Sequence, residues 1–141
     1  MTNALPMTNP PAPSAQAGDE PQGKRILVVD DNVDAAESAA EILRLLGSDV
    51  SVVHDGLAAL VAVEEFHPDI VLLDIGLPGI DGYEVARRLR LSEHGKGVML
   101  VALTGWGQEQ DRQRTSASGF DQHWVKPVGL EKLKEISPGN V

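Results

Sequence analysis

The strongest constraint on the fold is a pattern repeated five times. A short apolar run, rich in β-branched residues, is followed by a stretch with helical spacing. The runs fall at residues 25–30, 49–54, 69–74, 98–103 and 120–125. Runs of this length with apolar residues at consecutive positions suit strands buried on both faces. The intervening segments fit helices packed on those faces. The alternation predicts an α/β domain with one parallel sheet covered on both sides.

Local signals punctuate the pattern. Asn32 or Asp31 can cap a first helix whose stripe is Val33, Ala36, Ala40, Leu43 and Leu46, with Gly47 in the C′ position. Asp55-Gly56 turns the chain into a second helix with the stripe Leu57, Leu60, Val61 and Phe66. His67-Pro68 ends it, because a residue before proline avoids the helical region. A third helix is expected over 83–91, a weak and mobile one with almost no apolar face over 108–118, and a short closing one over 128–136. Residues 1–23 hold five of the nine prolines among small polar residues and read as a disordered tail. The domain is expected over 24–136, with 137–141 as a short C-terminal tail.

Composition excludes several functions. There are 12 Lys plus Arg against 21 Asp plus Glu, a net charge of −9. Without Asp19 and Glu20 of the tail, the remainder still carries 19 acids and 12 bases. Such a surface repels phosphate backbones and argues against sequence-independent nucleic-acid binding. No cysteine is present, which removes disulfides, thiolate metal sites and a cysteine nucleophile. No stretch approaches the roughly 18 apolar residues of a membrane helix. The first residues lack the basic and apolar regions of a signal peptide. A cytoplasmic location without membrane contact is expected.

In a parallel α/β sheet, ligands bind beyond the carboxyl ends of the strands. Here those ends carry Asp30-Asp31, His54-Asp55, Asp74, Thr104 and Lys126-Pro127. Three carboxylates converging on one rim repel one another unless a cation or a proton joins them. Mg²⁺, a hard ion that takes oxygen ligands, is the natural partner. Lys126 adds a compact positive charge and Thr104 a hydroxyl donor. A metal, a lysine and a hydroxyl around one carboxylate suit a tetrahedral anion. That carboxylate is then a plausible nucleophile toward phosphorus. Asp74, ending the third strand, is the best candidate.

These residues resemble the receiver domain of two-component response regulators. The motifs are Val-Val-Asp30-Asp31-Asn32, Leu-Leu-Asp74-Ile-Gly-Leu-Pro78-Gly-Ile-Asp-Gly82, Ala-Leu-Thr104-Gly and Val-Lys126-Pro127-Val. Each alone is weak; four in order at strand ends is a strong signal. The segments around Trp106 and Trp124 look most like single-domain or hybrid-kinase receivers.

The resemblance implies a flavodoxin-like (βα)5 sheet in the order 2-1-3-4-5. It implies that Asp74 takes a phosphoryl group from a phosphohistidine on a histidine kinase or histidine phosphotransfer protein. It makes Asp31 (with Asp30 through water), Asp74 and the Gly76 carbonyl the Mg²⁺ ligands. Lys126 and Thr104 would hold phosphoryl oxygens, and a cis bond before Pro127 would aim the lysine inward. The sequence departs from the family at His123, where a flipping Tyr or Phe is common, so the switch pair here would be Thr104 and His123. Gly76 lacks a side chain to manage a hydrolytic water, and Trp106 is the candidate shield in its place.

With so few residues after the last helix, the expected output is a downstream protein target, without a DNA-binding domain. The domain is read as catalysing only its own phosphorylation and dephosphorylation. The competing readings are an aspartyl-nucleophile phosphatase of the haloacid-dehalogenase type, which would need D-x-D after the first strand and a cap, and an interaction module that is never phosphorylated. The bland readings are helix capping for Asp30 and Asp31, turn chemistry for Gly76, Gly79 and Gly82, packing for Tyr83 and Trp124, and a solvated helix face for Arg87, Arg88 and Arg90.

Overall fold

The computed structural model describes residues 24–105 and 112–137. Among them are five strands: β1 (Arg25–Val29), β2 (Asp49–Val53), β3 (Ile70–Asp74), β4 (Met99–Thr104) and β5 (Gln122–Val125). Five helices alternate with them: α1 (Val33–Leu45), α2 (Gly56–Phe66), α3 (Gly82–Leu91), α4 (Arg112–Ala117) and α5 (Leu130–Ile136). The strands form one sheet in the order β2-β1-β3-β4-β5, and every pairing is parallel. This is the flavodoxin-like arrangement that the resemblance implied.

Side chains alternate across each strand, so each face has its own core. Ile26, Val28 and Leu72 point to the face covered by α1 and α5, where Ala36, Ala40, Leu43, Leu133 and Ile136 meet them. Leu27, Val29, Val71 and Leu73 point to the opposite face, where α2 and α3 supply Ala59, Val63, Val85 and Leu89. β3 is buried along its whole length, which explains its unbroken apolar run.

Capping settles what the sequence left open. Asn32, not Asp31, caps α1, accepting from the Ala35 N–H at 3.0 Å. Asp55 and Asp81 cap α2 and α3 in the same way. Gly47 takes its expected left-handed turn at φ +99°, and His67 closes α2 in the left-handed region at φ 53°.

Two expectations need correction. α2 begins at Gly56, and its buried residues are Gly56, Ala59 and Val63. Of the expected stripe, Leu60 and Phe66 pack against the core, whereas Leu57 and Val61 are 61% and 56% exposed and Ala59 and Val63 take the buried positions. Arg87 and Arg88 do pair with Glu84 on a solvated face, but Arg90 folds inward. Its guanidinium donates to the carbonyls of Gly95, Lys96, Val98 and Gly119 and to the Asp121 carboxylate. It pins the α3–β4 connection to the start of β5, a use that helical periodicity does not reveal. α4 has the expected polar character; Thr115 on it and Ser118 just after it are buried, and the Arg114 guanidinium lies 3.8 Å from the Tyr83 ring centroid. The expected helix start over 108–111, the tails 1–23 and 138–141, and Trp106 lie outside the described residues. No helix among those described is long and apolar enough to cross a membrane.

Candidate functional site

The register decides what meets what. Val29 lies opposite Leu73, so the next residue, Asp30, follows β1 beside Asp74 at the end of β3. Asp74 pairs with Leu103, and Thr104 with Val125. Asp30, Asp74, Thr104 and Lys126 therefore gather on one rim.

Carboxylate oxygens of Asp30, Asp31 and Asp74 all lie within 4.8 Å of one another. Asp30 and Asp74 are 3% and 8% exposed, whereas Asp31 faces solvent. The Lys126 ammonium reaches across the sheet and donates to Asp30 Oδ2 at 3.1 Å and to Asp74 Oδ2 at 3.4 Å. The second oxygen of each buried acid takes a backbone donor. Asn32 N–H gives to Asp30 Oδ1 at 3.0 Å, and Gly76 N–H gives to Asp74 Oδ1 at 2.9 Å. The Lys126–Pro127 bond is cis.

The charges do not balance. Three acids share one ammonium, and burial is the main reason the Asp74 carboxyl sits above the usual carboxylate range. The Gly76 N–H and Lys126 pull it down, and the charge of Asp30 pushes it up again. For Lys126, burial works against the charged form, but the hydrogen bond and charge of Asp30 and the charge of Asp74 outweigh it. The ammonium therefore titrates above the usual lysine value. An acidic excess made only of hard oxygen donors, open to solvent at Asp31, fits a divalent cation such as Mg²⁺.

The Gly82 N–H donates to the Ile75 carbonyl at 3.1 Å. A Cβ at Gly82 would stand 2.5 Å from Ile75 Cα and 2.6 Å from the Asp74 carbonyl oxygen. The backbone leaving β3 therefore needs glycine there, a close-packing role beyond the turn chemistry read from the sequence.

Thr104 is fully buried on the same rim, yet its hydroxyl is engaged away from the acids. It lies 3.0 Å from His123 Nε2 and 3.4 Å from the Trp124 carbonyl. Two participants were not foreseen. Thr115 of α4 sits 3.3 Å from His123 Nδ1, and His54 Nδ1 lies 2.9 Å from the Asp30 carbonyl. The polar end of β2 pointed toward His54, but nothing in the sequence marked Thr115. Beside Asp30 and Lys126 a cavity of about 380 Å³ opens, lined chiefly by Ala35, Ala39 and Ile42 of α1 and by Pro127 and Val128.

Comparisons with known proteins agree with this geometry. The DNA-binding response regulator MtrA of Mycolicibacterium paratuberculosis is 44% identical over 110 residues, 78% of this chain and 48% of that protein. The virulence sensor protein BvgS of Bordetella bronchiseptica is 36% identical over 142 residues, 96% of this chain and 12% of that protein. Among solved structures, the receiver domain of sensor histidine kinase PA1611 from Pseudomonas aeruginosa superposes with a TM-score of 0.72 at 31% identity. The match covers 83% of this chain and 99% of that one, and that structure has a magnesium ion coordinated in its active site cleft.

The chain thus spans about half the length of the MtrA proteins it matches. This overturns the expectation of output without a DNA-binding domain, because in those relatives the matched segment is part of a DNA-binding regulator. Residues 26–137 match the response regulator receiver domain. Together with the acidic rim on a sheet ordered 2-1-3-4-5, that match establishes that the chain belongs to the receiver family of two-component systems.

Proposed function

We propose that Asp74 is the phosphoacceptor, taking a phosphoryl group from the phosphohistidine of a kinase or phosphotransfer partner in the cytoplasm. A carboxylate oxygen of Asp74 attacks phosphorus, the phosphorus–nitrogen bond to the donor imidazole breaks, and an acyl phosphate forms. The carboxylates of Asp30, Asp31 and Asp74, with the Gly76 carbonyl, would hold Mg²⁺. When bound, that ion supplies neutralisation of the phosphoryl oxygens. Lys126 passes from the Asp74 carboxylate to a phosphoryl oxygen, and the Thr104 hydroxyl turns to another. The apolar cavity along α1 gives the donor's helix a place to approach. Residues 24–136 form the working domain, and Thr104 with His123 form its switch.

One observation carries this reading. The Lys126 ammonium bridges Asp30 and Asp74, with Asp31 close by, so one cation already joins two of the three acids. That leaves an acidic site with a lysine within reach of the proposed acceptor.

The test compares wild type with Asp74→Asn, each given a phosphodonor with Mg²⁺ or with a chelator. Stoichiometric label that is stable in acid and labile in base, lost in the variant and without Mg²⁺, supports the reading. Multiple turnover of an external substrate would instead indicate a phosphatase. Absence of any label would indicate an interaction module.

A further inference from the structure

The two acids that follow β1 are held in different ways. Asp30 is buried, and its carboxylate takes the Lys126 ammonium at 3.1 Å and the Asn32 N–H at 3.0 Å. Asp31 faces solvent, and among the described residues no hydrogen bond or ion pair reaches its carboxylate. Where that carboxylate stands is therefore set by the backbone beneath it.

One side chain grips that backbone. His54, the half-buried residue after β2, places Nδ1 2.9 Å from the Asp30 carbonyl oxygen. A carbonyl can only accept, so Nδ1 carries the hydrogen whether or not the ring is charged. The bonded carbonyl belongs to the peptide that joins Asp30 to Asp31. The plane of that peptide fixes ψ of Asp30 and φ of Asp31, the torsions that aim the second carboxylate. On the other side of the Asp30 Cα, the Asp30 N–H bonds the Val53 carbonyl at 3.2 Å. The imidazole thus adds a second anchor to the same residue, at the peptide leading to Asp31.

His54 itself stands on a braced turn. Asp55 caps α2 through the Ala58 N–H at 2.8 Å. A Cβ on the next residue, Gly56, would stand 2.7 Å from Ile80 Cγ1 and 2.9 Å from the Ile80 carbonyl oxygen. The β2–α2 turn is wedged against the 75–81 loop, which contains Gly76. It meets both loops that carry the acidic rim's oxygen donors, one through His54 and the other through Gly56.

We propose that His54 is a positioning residue for the divalent cation. By holding the Asp30–Asp31 peptide, it sets the Asp31 carboxylate close to those of Asp30 and Asp74 before the ion arrives. Without the bond, the turn must be ordered as the ion binds, which costs affinity. The inference rests on the reading of these acids as Mg²⁺ ligands. It does not depend on the charge of the ring.

The experiment uses the full chain as wild type, His54→Phe and His54→Asn. Phenylalanine keeps a ring and removes the donor. Asparagine loses the ring but carries an amide N–H the same number of bonds from the backbone as Nδ1. ¹⁵N NMR of the wild-type ring should show a protonated Nδ1. Calorimetric Mg²⁺ titration should show affinity about tenfold weaker in His54→Phe and within about twofold of wild type in His54→Asn. Urea unfolding in chelator reads stability separately; a merely structural role would move that midpoint and leave the Mg²⁺ affinity of the folded protein alone. A bare Nδ1, wild-type affinity in His54→Phe, or His54→Asn as weak as His54→Phe overturns the positioning role alone. Wild type that binds no Mg²⁺ overturns the cation reading of the acidic rim, and the role of His54 with it.

Discussion

Replacing Asp74 with asparagine should make the metal-free protein more stable. The acid's carboxylate oxygens lie within 4.8 Å of those of Asp30 and Asp31. At an effective dielectric constant of about 20, each unit repulsion at that distance is roughly 3–4 kcal/mol. Solvent around Asp31 reduces its share. On the other side, the substitution loses the attraction of Lys126 at 3.4 Å, roughly 5 kcal/mol on the same scale. These Coulomb contributions nearly cancel. What remains is the desolvation of a carboxylate only 8% exposed, the main reason its titration is displaced upward. Asparagine keeps an oxygen for the Gly76 N–H but has no charge to desolvate. The expected gain is about 1–3 kcal/mol. With a urea slope of ~1–2 kcal/mol per molar, the midpoint in chelator rises by about 1 M.

Added Mg²⁺ should narrow that gap. Wild type gains about 1.4 kcal/mol when the ion stands near tenfold its dissociation constant, whereas the variant has lost a ligand oxygen charge. Urea unfolding with and without Mg²⁺ reads both effects. A variant no more stable than wild type in chelator, or a gap indifferent to Mg²⁺, would refute the reasoning.

Further outcomes follow from the same geometry. Arg90→Ala removes a guanidinium with five partners and 22% exposure; thermal unfolding should show a loss of about 2–4 kcal/mol. Gly82→Ala forces a methyl against the Asp74 carbonyl and Ile75 Cα; the expected cost is ~1–3 kcal/mol, with amide shifts concentrated around Asp74. Lys126 titrates above the ordinary lysine value, so its stabilising effect is complete below that value and disappears as pH climbs through the raised one; Lys126→Met should abolish this alkaline loss of stability. The raised Asp74 carboxyl has the opposite consequence from a paired acid. Its contribution to stability is greatest below the ordinary carboxylate range and declines as pH rises through the raised value, a decline that Asp74→Asn flattens. Calorimetric titration should also show Mg²⁺ affinity weakening on acidification before an ordinary carboxylate would protonate.

How much of this was legible beforehand depended on what sets each feature. The sheet and its rim were readable because a strand buried on both faces consumes apolar residues in sequence. The first polar residue after it must then emerge at the carboxyl edge, and Asp30, Asp74, Thr104 and Lys126 all do so. Features set by reach between distant elements were not readable. Arg90 occupies a helix position like that of its solvated neighbours, and only the placement of the β5 start turns it inward. Thr115 looks like any helical threonine until β5 brings His123 beside it. Half of the α2 stripe was misplaced: Leu60 and Phe66 pack against the core, but an apolar run around the whole helix did not show that Ala59 and Val63, and not Leu57 and Val61, face the sheet. The expected absence of a DNA-binding domain failed for a different reason: a receiver's residues carry no record of what is joined to it, and the MtrA relatives join it to DNA binding.

The most direct test of the central claim is to locate the modified atom. After exposure to phosphodonor and Mg²⁺, an acyl phosphate can be trapped by borohydride reduction and its residue identified by peptide mass spectrometry. Modification confined to Asp74, and lost in Asp74→Asn, is the predicted result. Modification at Asp30 or Asp31, or persistence of the adduct in that variant, would contradict the assignment.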